Sequence, residues 1–486
     1  MQAQLIDEAW VELTGDVTHS SRSHLSSLEL TGRSGQLVSR FAVEETAVAC
    51  VAVALLAAAR LQGPSGYSVT LDREHVAAAV RSERYFRRGG QSSGVGFAAL
   101  SRFWPAADGW VRTHANYPWH RDALLSGLGM PTDDVDAVGA AIAEMRAHDV
   151  EERVFAAGGI AAAVRDIDEW RAHAQGQALA AEPLIDHRII GDAAPRRRSS
   201  GELPASGVRV LDLTRVIAGP VCTRYLAALG AEVVRLDPPH HPDMQRGEVA
   251  DTLLGKHSAM LDLSSEAGAA TLQQLLARAD AVVCGYRPGA LDRYGLTEDA
   301  LATRHPGVVV VYLDAWGHHG PWQHRRGFDS VVQAPTGIAA GESVDGTGPG
   351  ALPCQLLDHG TGYLAAAALL DGLHAQGIDG GTHIRRLSLA RTAAWLTSSR
   401  SAASRSSASR SASAENGQNS PASATASAEN GVPAGSSAAA QSWLAEVDSA
   451  AGPITAVAPP GTLGDRPLQW PSSLTGYGND PPAWSL

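Results

Sequence analysis

Val208-Arg209-Val210-Leu211-Asp212-Leu213, then Pro220 to Leu229 closed by Gly230, then Glu232-Val233-Val234-Arg235-Leu236: this stretch decides the architecture of the chain. Its outer segments are short, apolar and rich in β-branched residues, whereas the middle one repeats its apolar positions at helical spacing. Strand, helix and strand in that order make a βαβ crossover, which joins parallel strands with a right-handed turn. The alternation goes on. Met260-Leu261-Asp262-Leu263 leads into a helix over 267–277, and Ala281-Val282-Val283-Cys284 and Val308-Val309-Val310-Val311-Tyr312-Leu313 read as further strands. Strands this apolar on both sides belong to a mostly parallel sheet covered by helices on both faces. The expectation is an α/β fold with a Rossmann-like layer over 205–395, and such layers take ligands beyond the carboxyl ends of their strands.

The chain has 486 residues, 44% of them hydrophobic, enough for two or three cores. Its net charge of -12, from 51 acidic against 39 basic residues, disfavours nucleic acid and anionic membranes as partners. The opening Met1 to Glu8 lacks the regions of a signal peptide, and no stretch of about 18 apolar residues occurs, so a cytoplasmic location is expected. Cys50, Cys222, Cys284 and Cys354 are scattered, without the close pairs of a zinc or redox site, and read as free thiols. His318, His319 and His324 crowd a Gly/Pro/Trp turn without cysteine or carboxylate support, and no metal is expected there.

Composition divides the chain into 1–194, a linker over 195–204 with Arg196-Arg197-Arg198, the layer over 205–395, a Ser/Ala-rich stretch over 396–442, and a strap over 443–486. The 396–442 stretch holds too little apolar side chain to offset the entropy of ordering and is expected to be disordered; Ala-Glu-Asn-Gly occurs in it at 414–417 and again at 428–431.

Two places in the layer carry chemistry. Ala218-Gly219-Pro220 follows the first strand and opens a helix, and helix N-termini attract phosphate. The glycine pattern of dinucleotide-binding folds is absent. Further on, Asp358 stands in Leu356-Leu357-Asp358-His359-Gly360-Thr361-Gly362. Read from the residues alone, it caps a helix beginning near Gly360, where the helix dipole would favour an ionised carboxylate.

Val210-Leu211-Asp212-Leu213-Thr214-Arg215-Val216-Ile217-Ala218-Gly219-Pro220, Leu229-Gly230-Ala231-Glu232-Val233-Val234-Arg235, Gly285-Tyr286-Arg287-Pro288-Gly289 with Leu291-Asp292-Arg293, and Gly327-Phe328-Asp329, in this order, resemble the class III coenzyme A transferases of the CaiB/BaiF type. The resemblance implies coenzyme A, as acyl-CoA, together with a small carboxylic acid acceptor. It implies Val216, Ala218, Gly219, Arg287 and Arg293 near the adenosine and phosphates, Trp316 near the pantetheine arm, and Asp358 as nucleophile. It also implies a homodimer. Gly360, Gly362 or Gly89-Gly90-Gln91 would supply N–H groups to oxyanions. Gly285 and Pro238 depart from the family pattern. Relatives that racemise 2-methylacyl-CoA place a histidine in the Gly327-Phe328-Asp329 block, where this chain has Phe328; His359 is the substitute at hand. A non-catalytic CoA-binding protein is the third reading.

Phe103 to Val111 and Ala157 to Trp170 resemble the family's smaller α+β domain, here placed before the large one. Residues 49–63 also parallel 363–377 at an offset of 314, which suggests two truncated family copies fused in tandem. The offset sets Glu44 opposite Asp358, as a relic on a helix start.

Overall fold

The computed structural model describes residues 1–15, 23–63, 68–92, 96–198, 201–407, 438–471 and 474–485. Its centre is a seven-stranded sheet in the order His257–Met260, Glu232–Asp237, Arg209–Leu213, Ala281–Cys284, Val309–Asp314, Thr382–Ser388 and Asp186–Ile190. The first six strands run parallel and the last is antiparallel. The protein is therefore α/β, as the βαβ alternation requires. Helix Ala218–Ala228 makes the first crossover and ends before Gly230, whose φ of 100° suits a residue without Cβ.

The antiparallel edge strand precedes the 195–204 segment in sequence, so the first half of the chain closes the sheet of the second. That segment also lies on the layer. The Arg196 N–H donates to Gln376 Oε1 at 3.1 Å, and Arg198 donates to the Leu373 carbonyl.

Helix Leu356–Asp379 lies on one face of the sheet and a second long alanine-rich helix, Val43–Gln62, packs over it; both are buried almost all round. Such helices have no solvent face and must pack against each other and the sheet. A Cβ on Gly360 would sit 3.3 Å from Cys50 Sγ, so the two axes approach closely there. Arg60 Nη1 ties the pair at 2.7 Å from Asp371. These helices carry the two sequence repeats.

The smaller domain holds a three-stranded antiparallel sheet of Phe103–Ala106, Gly109–Thr113 and Ala161–Ala163. Helices Pro118–Leu128, Val135–Ala143 and Ala147–Ala156 pack its separate core around Trp104, Leu124 and Val150.

The 396–442 stretch departs from its expectation at both described ends. Helix Leu389–Ser407 runs through 396, with Leu396 and Thr397 buried, because their apolar surface docks on the layer before the serines take over. A short helix covers Ala438–Gln441; residues 408–437 lie outside the described residues. The strap pairs as strands. Ile454–Val457 adds to Arg87–Arg88, Thr462–Leu463 adds to Val69–Asp72, and Trp484 Nε1 donates to the Leu275 carbonyl at 3.1 Å. Among the described residues no helix is long and apolar enough to cross a membrane.

Candidate functional site

Helix Leu356–Asp379 starts earlier than the glycines suggested, with Gln355 as its N-cap and no side-chain capping bond. Asp358 lies inside the first turn, 5% exposed, and its Oδ2 is buried without a hydrogen-bond partner among the described residues. It is not a cap. Nor is it held ionised by the helix dipole. Burial, then the charges of Asp329 and Glu83, push its carboxyl well above the usual carboxylate range. A helix terminus contributes about 0.3–1 kcal/mol at most exposed sites, too little to offset desolvation beside two acids.

Asp329 opens the short helix Asp329–Val332 from the Gly327-Phe328-Asp329 block. Its Oδ2 accepts the Asp358 backbone N–H at 3.1 Å, and Gln333 Nε2 donates to its other oxygen. Burial pushes it up to about 6 against those hydrogen bonds. Two carboxyls this close hold one proton between them more readily than none. His359, 1% exposed, turns its Nε2 to Glu83 Oε2 at 3.1 Å. Glu83 comes from the first half, and only the folded chain brings it here.

The crossover turn beside this helix is strained. Val216 takes φ 66°, which a β-branched residue avoids. Asp243 holds it there: Oδ2 accepts the Val216 N–H at 3.1 Å and Arg235 Nη2 at 2.8 Å, while Oδ1 accepts Arg215 Nε at 2.7 Å and the Tyr117 hydroxyl at 3.1 Å. Gly219 is required, because a Cβ would fall 2.3 Å from Thr214 Cβ. A Cβ on Gly362 would fall 2.5 Å from the Ala218 carbonyl oxygen. Ala218 and Gly219 thus lie directly under the Asp358 helix. Beneath them Asp212 accepts from Thr214, from Thr223 Oγ1 at 2.6 Å and from Lys256 Nζ at 2.9 Å, all fully buried.

Arg287 and Arg326 are both exposed; Arg287 donates to the His324 carbonyl at 3.2 Å and Arg326 to the Gly158 carbonyl at 3.1 Å. Burial and then the charge of Arg287 lower the pKa of Arg326. Among the described residues neither has a carboxylate partner, which leaves both donor sets for an anion. Arg326 carried no sequence signal of its own beyond its neighbour Gly327. Arg293 is turned to its own 3-10 turn, with Nη2 2.5 Å from the Tyr294 hydroxyl. Arg287 also lines a cavity of about 270 Å³ at the ends of strands Ala281–Cys284 and Val309–Asp314, with Tyr286, Leu291, Tyr312 and Arg188. Asp358 does not line that cavity.

Trp316, expected along the pantetheine arm, is 2% exposed. Its Nε1 donates to the Arg326 carbonyl at 3.2 Å, its ring meets Trp322 edge-on at 4.8 Å, and Gln175 Nε2 donates to its carbonyl at 2.7 Å. It seals the seam between the halves and presents no open face. Gly360 and Gly362 lie within the helix ladder, where their N–H groups are already committed. Gly89 and Gly90 form an exposed hairpin tip between Arg87–Arg88 and Gln91–Ser92. Glu44 is a structural carboxylate: it accepts the N–H groups of Gly35, Gln36 and Leu37 at 3.0, 2.6 and 3.1 Å. His318 Nδ1 lies 2.9 Å from Asp314 Oδ2, a carboxylate neighbour the sequence did not show, and His324 meets the Pro288 carbonyl.

The smaller domain sends its His114–His120 segment against Phe328. His114 stacks on that ring at 3.9 Å and His120 meets it edge-on at 5.9 Å. Burial is the chief cause that pushes His114 down to about 3 and His120 down to about 4, so both rings are neutral near pH 7.

The family described as CoA-transferase family III matches residues 205–448, half of the chain. An acyl-CoA transferase of Gibberella moniliformis is 29% identical over 301 residues, covering 58% of this chain and 53% of that protein. A formyl-CoA:oxalate CoA-transferase of Streptomyces coelicolor is 36% identical over 179 residues, 35% of this chain and 43% of its own. The crystal structure of Rv3272 from Mycobacterium tuberculosis aligns with 31% identity and a TM-score of 0.39, over 42% of this chain and 58% of that one. The chain thus spans about half the length of the curated relatives it matches. With its βαβ turn, its Arg287 loop and its Asp358 helix all inside the matched region, the chain belongs to CoA-transferase family III.

Proposed function

We propose that the protein moves coenzyme A from an acyl-CoA donor to a carboxylic acid acceptor, with Asp358 as nucleophile. The observation that carries this is the buried Asp358 carboxyl, its Oδ2 without a partner among the described residues, on the first turn of a helix that meets Ala218 just after the strained Val216. The neighbouring buried acids are each committed: Asp212 and Asp243 to cations, and Asp329 to the Gln333 amide and the Asp358 backbone N–H.

The Asp358 carboxylate attacks the thioester carbonyl and expels CoA thiolate, leaving a mixed anhydride. The thiolate attacks the aspartyl carbonyl and releases the donor acid, leaving an aspartyl-CoA thioester. The acceptor carboxylate displaces thiolate from that thioester, and the thiolate then takes the acceptor acyl group and frees Asp358. Asp358 must first lose its proton to solvent, which a nearby cation favours and desolvation opposes. Arg287 and Arg326 hold phosphates in this reading, and the Ala218–Gly219 helix start adds backbone donors.

The parallel between residues 49–63 and 363–377, carried on two helices that pack on each other, supports a fusion of two partial family copies in which the first half stands in for part of a second subunit. Homodimer formation, expected from the resemblance, is tested by sedimentation of the full chain.

The transfer is tested by incubating the protein with a panel of acyl-CoA thioesters, trapping with hydroxylamine or borohydride, and locating the adduct by mass spectrometry. Modification at Asp358 is expected; measurable CoA binding with no adduct from any thioester sinks the reading. One observation favours a second reaction: His114 brings an imidazole with a buried, unpartnered Nδ1 against Phe328, next to Asp329. Exchange of an α-proton into deuterated solvent without acyl transfer would establish it instead.

A further inference from the structure

Glu83 and His359 lie 276 residues apart in sequence and 3.1 Å apart in space. Glu83 rides on the short Ser82–Tyr85 helix of the first half. That helix is anchored to the layer by a buried network: Ser82 Oγ donates to Asp251 Oδ2 at 2.7 Å, Arg224 Nη2 donates to Ser82 Oγ at 2.9 Å, and Arg224 is ion-paired with Asp251. His359 follows Asp358 on the same helical turn, and its Nδ1 is buried with no partner among the described residues. The bond to Glu83 is therefore what fixes the imidazole, and the imidazole is packed into the turn that carries Asp358. A nucleophile misplaced by about 1 Å loses on the order of a hundredfold in rate.

We propose that Glu83 is a positioning residue for Asp358, acting through His359, so that the first half of the chain completes the reactive turn of the second. The inference rests on the CoA-transferase reading. Glu83 does not touch the reacting atoms. Burial pushes its carboxyl up, but the hydrogen bond and charge of His359, a backbone hydrogen bond and the charge of Arg84 together hold Glu83 below the usual range, whereas Asp358 is held above it. The charged groups facing this turn are Asp329 from its own short helix, His359, Arg84 beside Glu83, and the Arg224–Asp251 pair. Asp329, together with Glu83 itself, opposes ionisation of Asp358.

The test compares the full-length wild type with Glu83→Ala, Glu83→Gln and Glu83→Asp, following the rate of trapped adduct at Asp358 against pH and acyl-CoA concentration. Glu83→Ala is expected to lower the saturating rate at least about tenfold, with the half-saturating concentration unchanged. Glu83→Gln keeps the shape and an acceptor oxygen but removes the charge; its rising limb with pH is expected to move down by on the order of one pH unit. Glu83→Asp is expected to recover part of the rate lost in Glu83→Ala. Folded variants, judged by melting and circular dichroism, that label at the wild-type rate with the wild-type pH limb overturn the inference. If Glu83→Ala fails to fold, the Glu83→Gln limb decides alone. A wild type that gives no adduct removes the transferase reading and this inference together, a result distinct from wild-type labelling that the variants leave unchanged.

Discussion

At Asp358 stability and reactivity pull in opposite directions. The site keeps two buried carboxyls, Asp329 and Asp358; burial raises both, and the charge of Asp329 raises Asp358 further. A carboxyl whose folded pKa is raised favours the fold below its unfolded pKa and loses that contribution as pH climbs through the folded value. For Asp329 the window runs from 3.8 to about 6. Asp358→Asn removes one member of the pair while keeping its shape. It is expected to abolish the adduct and to melt higher than the wild type at pH 8, with the gap closing at pH 4. Equal melting temperatures at both pH values would show that the pair carries no charge strain. The arginines give a second expectation. Arg326→Ala, which removes a donor with no carboxylate to leave behind, should weaken CoA binding about tenfold or more, by roughly 1.5–3 kcal/mol. The loss should shrink at high salt, as calorimetric titration at two ionic strengths will record.

At the scale of elements, what the sequence made legible follows from local chemistry. The βαβ period, Gly230 and the Ala218-Gly219-Pro220 start each act within a few residues, and the sheet order that results is the expected α/β layer. The Asp358 helix starts at Leu356, ahead of Gly360 and Gly362, which look like breakers in sequence; their small size serves helix crossing instead, against Cys50 and Ala218. Gly362→Ala is expected to destabilise by about 1–3 kcal/mol in urea denaturation, because the contact it meets is backbone and cannot rotate away. Glu83, Arg326 and His114 were illegible for the opposite reason. Each is placed by contacts between segments far apart in the chain, and no local pattern marks it. Lys256 belongs with them. It neutralises Asp212 below the Thr214–Val216 turn, and Lys256→Met, which strands that buried carboxylate, is expected to cost about 3–5 kcal/mol and to weaken CoA binding through the turn.

The whole molecule depends on the order of its halves. The first half supplies the antiparallel edge strand Asp186–Ile190, the Val43–Gln62 helix that covers the Asp358 helix, and Glu83 at the reactive turn. The strap then returns to pair with strands of the first half at Arg87–Arg88 and Val69–Asp72. Neither half closes its own core. Residues 205–486 expressed alone would leave one face of an alanine-rich helix and a sheet edge bare, surfaces that monomeric proteins cover or charge. That fragment is expected to aggregate or to lose a cooperative melt, and co-expression with residues 1–204 is expected to restore a soluble complex with the melting profile of the intact chain. A soluble, cooperatively melting 205–486 fragment would mean that the first half is an appendage, and the fusion would then have no part in building the site.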